Sequence, residues 1–395
     1  MIISIQLKNF YSIRDKIAID FTADVRSRKL QNYLPENLID VGEDKFVNII
    51  GLFGSNAAGK SNVIKAIDFC RNLVLNSHLL NEGVTFDFES FKFEPGKPSE
   101  FIINFITNGN EYEYSFEILD NKVLSESLYH FPNKRKARVF VREKTFSYTH
   151  GKGVMSRPSD IEANTGPKNL FLSRASALNR PIAKEVYRFF LNEMKFEAVD
   201  FSIDNISRKE FEDHKKILLH ALEVSDSDII DIDLYEASPG NLRLRTYHKE
   251  NPSIPFDFEK EESEGTKRLL MMLLYILRSA LSGAALFLDE FDLKMHLHLA
   301  EFVLDAIRAT GKCQFLFTSH TSPLIDISKL RREQIIFVNK QTDGNTQLIP
   351  LYDYQGIRDN ANIQKAYLMG RFDAIPYIGN IYSDLKELLS ENEKS

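Results

Sequence analysis

Gly54-Ser55-Asn56-Ala57-Ala58-Gly59-Lys60-Ser61 matches GxxxxGK[ST] at every fixed position. The residues before it, Phe46 to Phe53, make an apolar run with the character of a buried strand. After it, Val63, Ile67, Cys70 and Val74 recur at helical spacing. Strand, glycine-rich turn and helix, in that order, are what a phosphate-binding loop requires. The glycines let the backbone N–H groups of residues 54 to 62, Asn62 included, converge on an anion, and the helix N-terminus adds its positive end. In such a loop Lys60 reaches the β- and γ-phosphates and the Ser61 hydroxyl holds Mg²⁺. The first part of the chain is thereby committed to a nucleotide-binding α/β domain.

A phosphate-binding loop alone does not say which kind of nucleotide hydrolase this is, but the later motifs do. Ala284 to Leu288 is an apolar strand ending in Asp289-Glu290. The spacing predicts a Walker B element, with Asp289 on the Mg²⁺ shell and Glu290 orienting or deprotonating the attacking water. Upstream, Ser263-Glu264-Gly265-Thr266-Lys267 precedes an apolar helix expected over Arg268 to Leu281. A Ser-x-Gly turn at a helix N-terminus is a second anion-binding feature, because hydroxyl, glycine N–H and helix dipole point one way. Downstream, Gln314 to Ser319 reads as a strand ending in His320, whose ring at the strand's C-terminal edge can bond a γ-phosphate.

The order of phosphate loop, Ser-x-Gly turn, Asp-Glu strand and strand-His is that of ABC-type ATPases. The chain resembles their soluble SMC/RecF-like branch, and within it the short "AAA family ATPase" proteins of bacterial anti-phage defence, such as the AriA, RloA and abortive-infection groups. Leu7-Lys8-Asn9-Phe10-Tyr11-Ser12 is similar to the branch's N-terminal strand. Asn169-Leu170-Phe171-Leu172-Ser173, Glu262 to Thr266, Asp289 to Asp292, Thr318-Ser319-His320 and Gly370 to Pro376 are similar to its other motifs. The resemblance implies an ATP sandwich between two copies, with Ser263, Glu264, Gly265 and Thr266 of one subunit completing the site at Lys60 of the other. It also implies a D-loop place for Asp292, ATP and Mg²⁺ as cofactors, a dimer or higher oligomer, and a separate effector protein of nuclease type. Two departures stand out. The signature is SEGTK, without a glycine pair, and the stretch Glu89-Ser90-Phe91-Lys92-Phe93 holds no glutamine for a Q-loop.

Between the two halves of the site, Phe101, Ile103 and Phe105 alternate, then Asn108-Gly109, then Tyr112, Tyr114, Phe116 and Ile118. Alternation across Asn-Gly predicts a hairpin. A second pair is expected through Val123-Leu124 to Val139-Phe140-Val141, and helices over Pro181 to Met194 and Arg208 to Glu223. The expected organisation is an ATPase head from 1–75 and 226–395, a β-rich insert at 76–155, a helical lobe at 156–225 and an acidic tail from Asp384. No sustained heptads occur, so a long coiled coil is not expected.

Fifty basic against 56 acidic residues give a net charge of −6, so DNA contact is possible only through a local patch. The densest basic run is Lys134-Arg135-Lys136 with Arg138, Arg142 and Lys144; a solvated hairpin tip and a phosphate-backbone contact are both open there. Asp231-Ile232-Asp233 has the spacing of a nuclease metal pair, but it lies inside the ATPase, where a strand with polar alternate positions is expected. Cys70 and Cys313 have no partner motif and are expected as buried free thiols. The longest apolar run, Leu269 to Leu277, falls well short of the roughly 20 residues a membrane span needs. A cytoplasmic ATPase without membrane contact is expected, acting as sensor or regulator of its effector in anti-phage defence. A RecF-like repair ATPase and a non-hydrolysing ATP-gated scaffold remain the alternatives.

Overall fold

The computed structural model describes residues 1–81, 83–196, 207–224, 227–293, 295–358 and 361–374. Ile375, Pro376 and the acidic tail lie outside them.

At the centre is a six-stranded sheet in the order Met194–Phe196, Ala285–Leu288, Gln314–Ser319, Ile49–Phe53, Ile335–Lys340, Thr346–Pro350. All neighbours run parallel except the last pair. The inner strands are continuous apolar runs because both faces are covered. Alternate side chains divide between two cores. Ile50, Leu52, Phe287, Leu316, Ile336 and Val338 enter one core, and Ile49, Phe53, Leu286, Leu288, Phe315, Phe317 and Phe337 enter the other.

The first core is closed by a seven-stranded antiparallel sheet, in the order Ser147–His150, Ala137–Glu143, Lys122–His130, Asn110–Leu119, Ser99–Thr107, Ile2–Lys8, Ile17–Asp20. The predicted hairpin is present, with Asn108 at φ 49 and Gly109 at φ 75, the left-handed pair a two-residue turn demands. Helix Lys60–Asn76 lies in this core through Val63, Ala66, Ile67, Cys70 and Val74. Gln314 stitches the two sheets together: its side-chain oxygen accepts from Ile2 N–H at 2.6 Å and its amide donates to Ile2 O at 2.8 Å. The strands of residues 76–155 thus continue the sheet begun by Ile2–Lys8, because Ser99–Thr107 pairs directly with it. The division at 75/76 is therefore not a sheet boundary.

The second core is closed by helices Arg208–Val224, Glu264–Ser282 and Leu297–Thr310. A three-stranded sheet, Ile229–Ser238, Asn241–His248 and Pro255–Asp257, leads into it. The helices of 156–225 divide between the two cores. Phe189 stacks on Phe105 at 4.0 Å in the first, whereas Phe211, Leu218 and Leu222 enter the second. The expected strand from Phe46 to Phe53 is two strands, Asp44–Val47 and Ile49–Phe53, which join different sheets. The break falls at Asn48, whose buried amide donates to Glu36 O and accepts from Gln334. No helix among the described residues is long and apolar enough to cross a membrane.

Candidate functional site

Three parallel neighbours deliver the site at their C-terminal ends, where ligands of open α/β sheets bind. Ile49–Phe53 runs into Gly54, Ala285–Leu288 into Asp289, and Gln314–Ser319 into His320. Packing dictates both loop glycines. A Cβ on Gly54 would lie 2.3 Å from Val338 O, and one on Gly59, at φ +106, would lie 2.0 Å from Thr346 Oγ1. The N–H groups of Asn56, Ala57, Gly59, Lys60 and Ser61 donate to no backbone carbonyl among the described residues. Converging donors at the start of a long helix suit a polyphosphate.

Behind the loop stands a polar cluster that sequence reasoning missed. Thr346 Oγ1 donates to Ala58 O at 2.9 Å and lies 2.7 Å from Ser12 Oγ, which accepts from Asn62 Nδ2 at 2.7 Å. Ser12 stands in the N-terminal motif singled out above, so its signal was visible; Thr346 carries no motif. Ser55 N–H is held by Ala374 O at 2.9 Å. The Gly370–Ala374 stretch therefore braces the loop's first turn. Asn56 and Ala57 are left exposed, and Ala57 takes φ 61.

Lys60 is nearly buried, and its Nζ donates to Gly54 O at 2.8 Å and Ser55 O at 2.9 Å. Burial lowers its pKa to about 8, against the pull of Asp289, Glu290 and Asp292 in the other direction. His320 Nδ1 is 3.3 Å from the same nitrogen, and His320 Nε2 is 3.6 Å from Glu290 Oε1. Thr318 couples the two acids: its hydroxyl donates to Asp289 Oδ1 at 2.6 Å and accepts from Glu290 N–H at 2.7 Å. Glu290 sits at φ 48, a left-handed backbone rare outside glycine that costs about 1–2 kcal/mol and recurs at functional positions. The Ser61 hydroxyl and the Asp289 carboxylate are hard oxygen donors of the kind that takes Mg²⁺.

The signature residues stand apart from this group. Ser263 caps helix Glu264–Ser282, accepting from Thr266 N–H at 3.1 Å, so the helix begins four residues before the expected Arg268. Ser263 and Glu264 are exposed, and Gly265 and Thr266 half-buried. Among the described residues no hydrogen bond or ion pair links 263–266 to 54–62. One turn further on, Arg268 donates to Glu290 O at 3.3 Å. Asp292 is buried and accepts from Ser319 Oγ at 2.7 Å, so its carboxylate faces inward, while Leu293 beside it is exposed.

The other candidates resolve plainly. Arg142 is fully buried beside Glu126, which removes it from any exposed basic patch. Lys134 pairs with Glu43 and Asp44, and Lys136 with Glu113. Asp231 is paired with Lys215 and Asp233 with Arg245. Both cysteines are buried free thiols.

Residues 49–328 match the family described as "AAA domain, putative AbiEii toxin, Type IV TA system". No curated protein matches the chain. Solved structures similar to it include an SMC head domain from Thermotoga maritima, 13% identical with TM-score 0.45, covering 88% of this chain and 98% of that one. An SmcHead bound to the C-winged helix domain of ScpA is 15% identical with TM-score 0.44, covering 88% and 96%. An Smc head with an extended coiled coil bound to the C-terminal domain of ScpA, derived from Pyrococcus furiosus, is 14% identical with TM-score 0.45, covering 94% and 98%. The matched span takes in the loop at Lys60, the Ser263 turn, Asp289-Glu290 and His320, and the chain belongs to that AAA-domain family of ATPases.

Proposed function

We propose that the chain binds ATP with Mg²⁺ and hydrolyses it between two copies of itself, each adding its Ser263 turn to the other's phosphate loop. The observation that supports this best is the separation of the two anion-binding features. The Ser263 turn is an exposed, capped helix start with no bond to the chain's own loop, yet its helix reaches Glu290 through Arg268. Lys60 would meet the β- and γ-phosphates, Ser61 and Asp289 would hold Mg²⁺, Glu290 would orient or deprotonate the water, and His320 would report on the γ-phosphate. Mg²⁺ would neutralise charge on the phosphate oxygens.

The output of this cycle is regulatory. Membership of a family described by a toxin of a type IV toxin–antitoxin system favours a defence or toxin-like setting, in which the nucleotide-driven pair holds or releases a separate effector of nuclease type. A DNA-repair role has less support, because Lys134 and Lys136 are paired with acids and Arg142 is buried.

Mixing tests the shared site. Lys60→Ala and Ser263→Arg protomers are each expected to lack ATP turnover, and their mixture to regain it, since one composite site is then intact. Failure of the mixture to regain turnover sinks the two-copy site. Co-purification of a neighbouring gene product, with turnover indifferent to DNA, supports the effector reading; DNA-stimulated turnover supports the repair reading instead.

A further inference from the structure

Glu262, the residue before the signature serine, is tied by its side chain to the neighbouring three-stranded sheet. It is extended, at φ −82 and ψ 155, where helix Phe258–Glu261 ends. Its carboxylate is nearly buried, and one oxygen receives both Thr246 Oγ1 and His248 Nε2, the latter at 3.0 Å. Thr246 and His248 belong to the middle strand of the three-stranded sheet, and Thr246 is fully buried. A buried carboxylate is tolerated only when bonded, so this oxygen fixes the peptide leading into Ser263.

His248 is held on its other side as well. Its Nδ1 lies 3.0 Å from Asp228 Oδ1, and its ring packs 4.4 Å from Phe256. Carboxylates only accept, so a ring bonded to one at each nitrogen must donate from both, which only the imidazolium does. The groups facing it are Asp228, with Lys249 beside it, from the turn before Ile229–Ser238, Glu262 from the loop, and Phe256 from Pro255–Asp257, where Asp257 pairs with Arg243. Burial pulls the His248 pKa down, and the bonds to Asp228 and Glu262 outweigh it and leave it raised.

The geometry points to Glu262 as a positioning residue for the composite ATP site: through Thr246 and the His248 imidazolium it braces the Ser263 turn on the three-stranded sheet. The role rests on the two-copy site proposed above. It gives the turn a pH sense. As pH rises through the His248 pKa, the ring loses one donor, the brace slackens and the turn presents Ser263 less firmly to the partner's nucleotide.

The test uses the full chain, with fluorescent ATP binding and phosphate release measured at saturating ATP between pH 6 and pH 8. Glu262→Ala is expected to lower kcat about tenfold with ATP affinity unchanged, and Glu262→Gln, which keeps the acceptor, to restore most of it. Thr246→Val serves as the second probe should Glu262→Ala not fold. Wild-type kcat is expected to fall relative to His248→Gln, whose uncharged side chain removes that titration, as pH rises above the ordinary imidazole value of about 6.5. Ser263→Arg is the control. If it leaves turnover intact, the two-copy site is wrong. If it abolishes turnover while Glu262→Ala and Thr246→Val keep wild-type kcat, or lose ATP affinity in step with kcat, the brace is overturned. An unchanged pH profile in His248→Gln overturns its pH sense.

Discussion

Lys60 Nζ and His320 Nδ1 lie 3.3 Å apart across 260 residues of chain, and the other nitrogen of the same imidazole faces Glu290 Oε1 at 3.6 Å. A lysine ammonium only donates, so Nδ1 must be the accepting nitrogen and Nε2 carries the proton toward Glu290. Lys60, the His320 ring and the Glu290 carboxylate are thereby set in one line. The strand order places the Lys60 strand beside the His320 strand and the Glu290 strand beyond it, so the line follows from topology.

The depressed Lys60 pKa of about 8 makes ATP binding pH-dependent. Burial favours the neutral amine, whereas phosphate oxygens favour the ammonium, so ATP raises the pKa and its binding takes up a proton near and above pH 8. The sign follows: affinity holds below about pH 8 and weakens as pH rises past it. Calorimetry in buffers of different ionisation enthalpy checks this. Proton release on binding, or affinity flat to pH 9, contradicts it.

Glu290→Gln keeps the shape of the side chain and removes the base. Loss of a positioned base typically costs 10²–10⁴-fold, so turnover is expected to fall by about a hundredfold or more while ATP affinity stays within about threefold. On the two-copy reading proposed above, the variant should then elute as a dimer with ATP. Unchanged phosphate release would move the base away from Glu290.

Gly59→Ala is a backbone test of the loop. At φ +106 a side chain costs about 1–2 kcal/mol by conformation alone, and its Cβ would lie 2.0 Å from Thr346 Oγ1. The bond from Thr346 to Ala58 O must then break or the loop must shift. A drop in ATP affinity of about tenfold or more is expected, together with a lower melting temperature. Wild-type affinity would mean that the loop is not held by Thr346.

Much of the candidate site's arrangement was legible because its signals are local. The loop, the Asp-Glu strand end and the strand-His each combine a buried strand with the residue that ends it. Asn108-Gly109 announced its hairpin for the same reason. What the sequence hid was pairing at long range. Nothing near Asn48 says that the strands on its two sides join different sheets, and nothing near Thr346 says that it will meet Ser12 and Ala58. Charge misled most. Arg142 sits among Lys136, Arg138 and Lys144 in a run with the look of a solvated tip, yet strand alternation turns it inward onto Glu126.

That inward turn makes Arg142 a stability residue. Its guanidinium is fully buried, 3.7 Å from Glu126, and donates to Thr145 O, Asn169 O and Gly166 O. Glu126 in turn accepts from Tyr114 OH at 2.9 Å and from the N–H groups of Phe171 and Leu172, capping helix Phe171–Ala177. Arg142→Ala leaves a buried carboxylate without its cation, and removing one partner of such a pair costs about 3–5 kcal/mol. Burial already raises the Glu126 pKa, and losing Arg142 raises it further. A carboxyl raised in the folded state stabilises most below its unfolded pKa and loses that contribution as pH climbs through the folded value. The Arg142→Ala deficit should therefore shrink on acidification, and Glu126→Gln should relieve part of it at neutral pH. Urea unfolding of the wild type, Arg142→Ala and the Arg142→Ala/Glu126→Gln double variant between pH 5 and pH 8 measures this. A deficit below about 1 kcal/mol, or one that deepens in acid, would return Arg142 to the surface role its neighbours suggest.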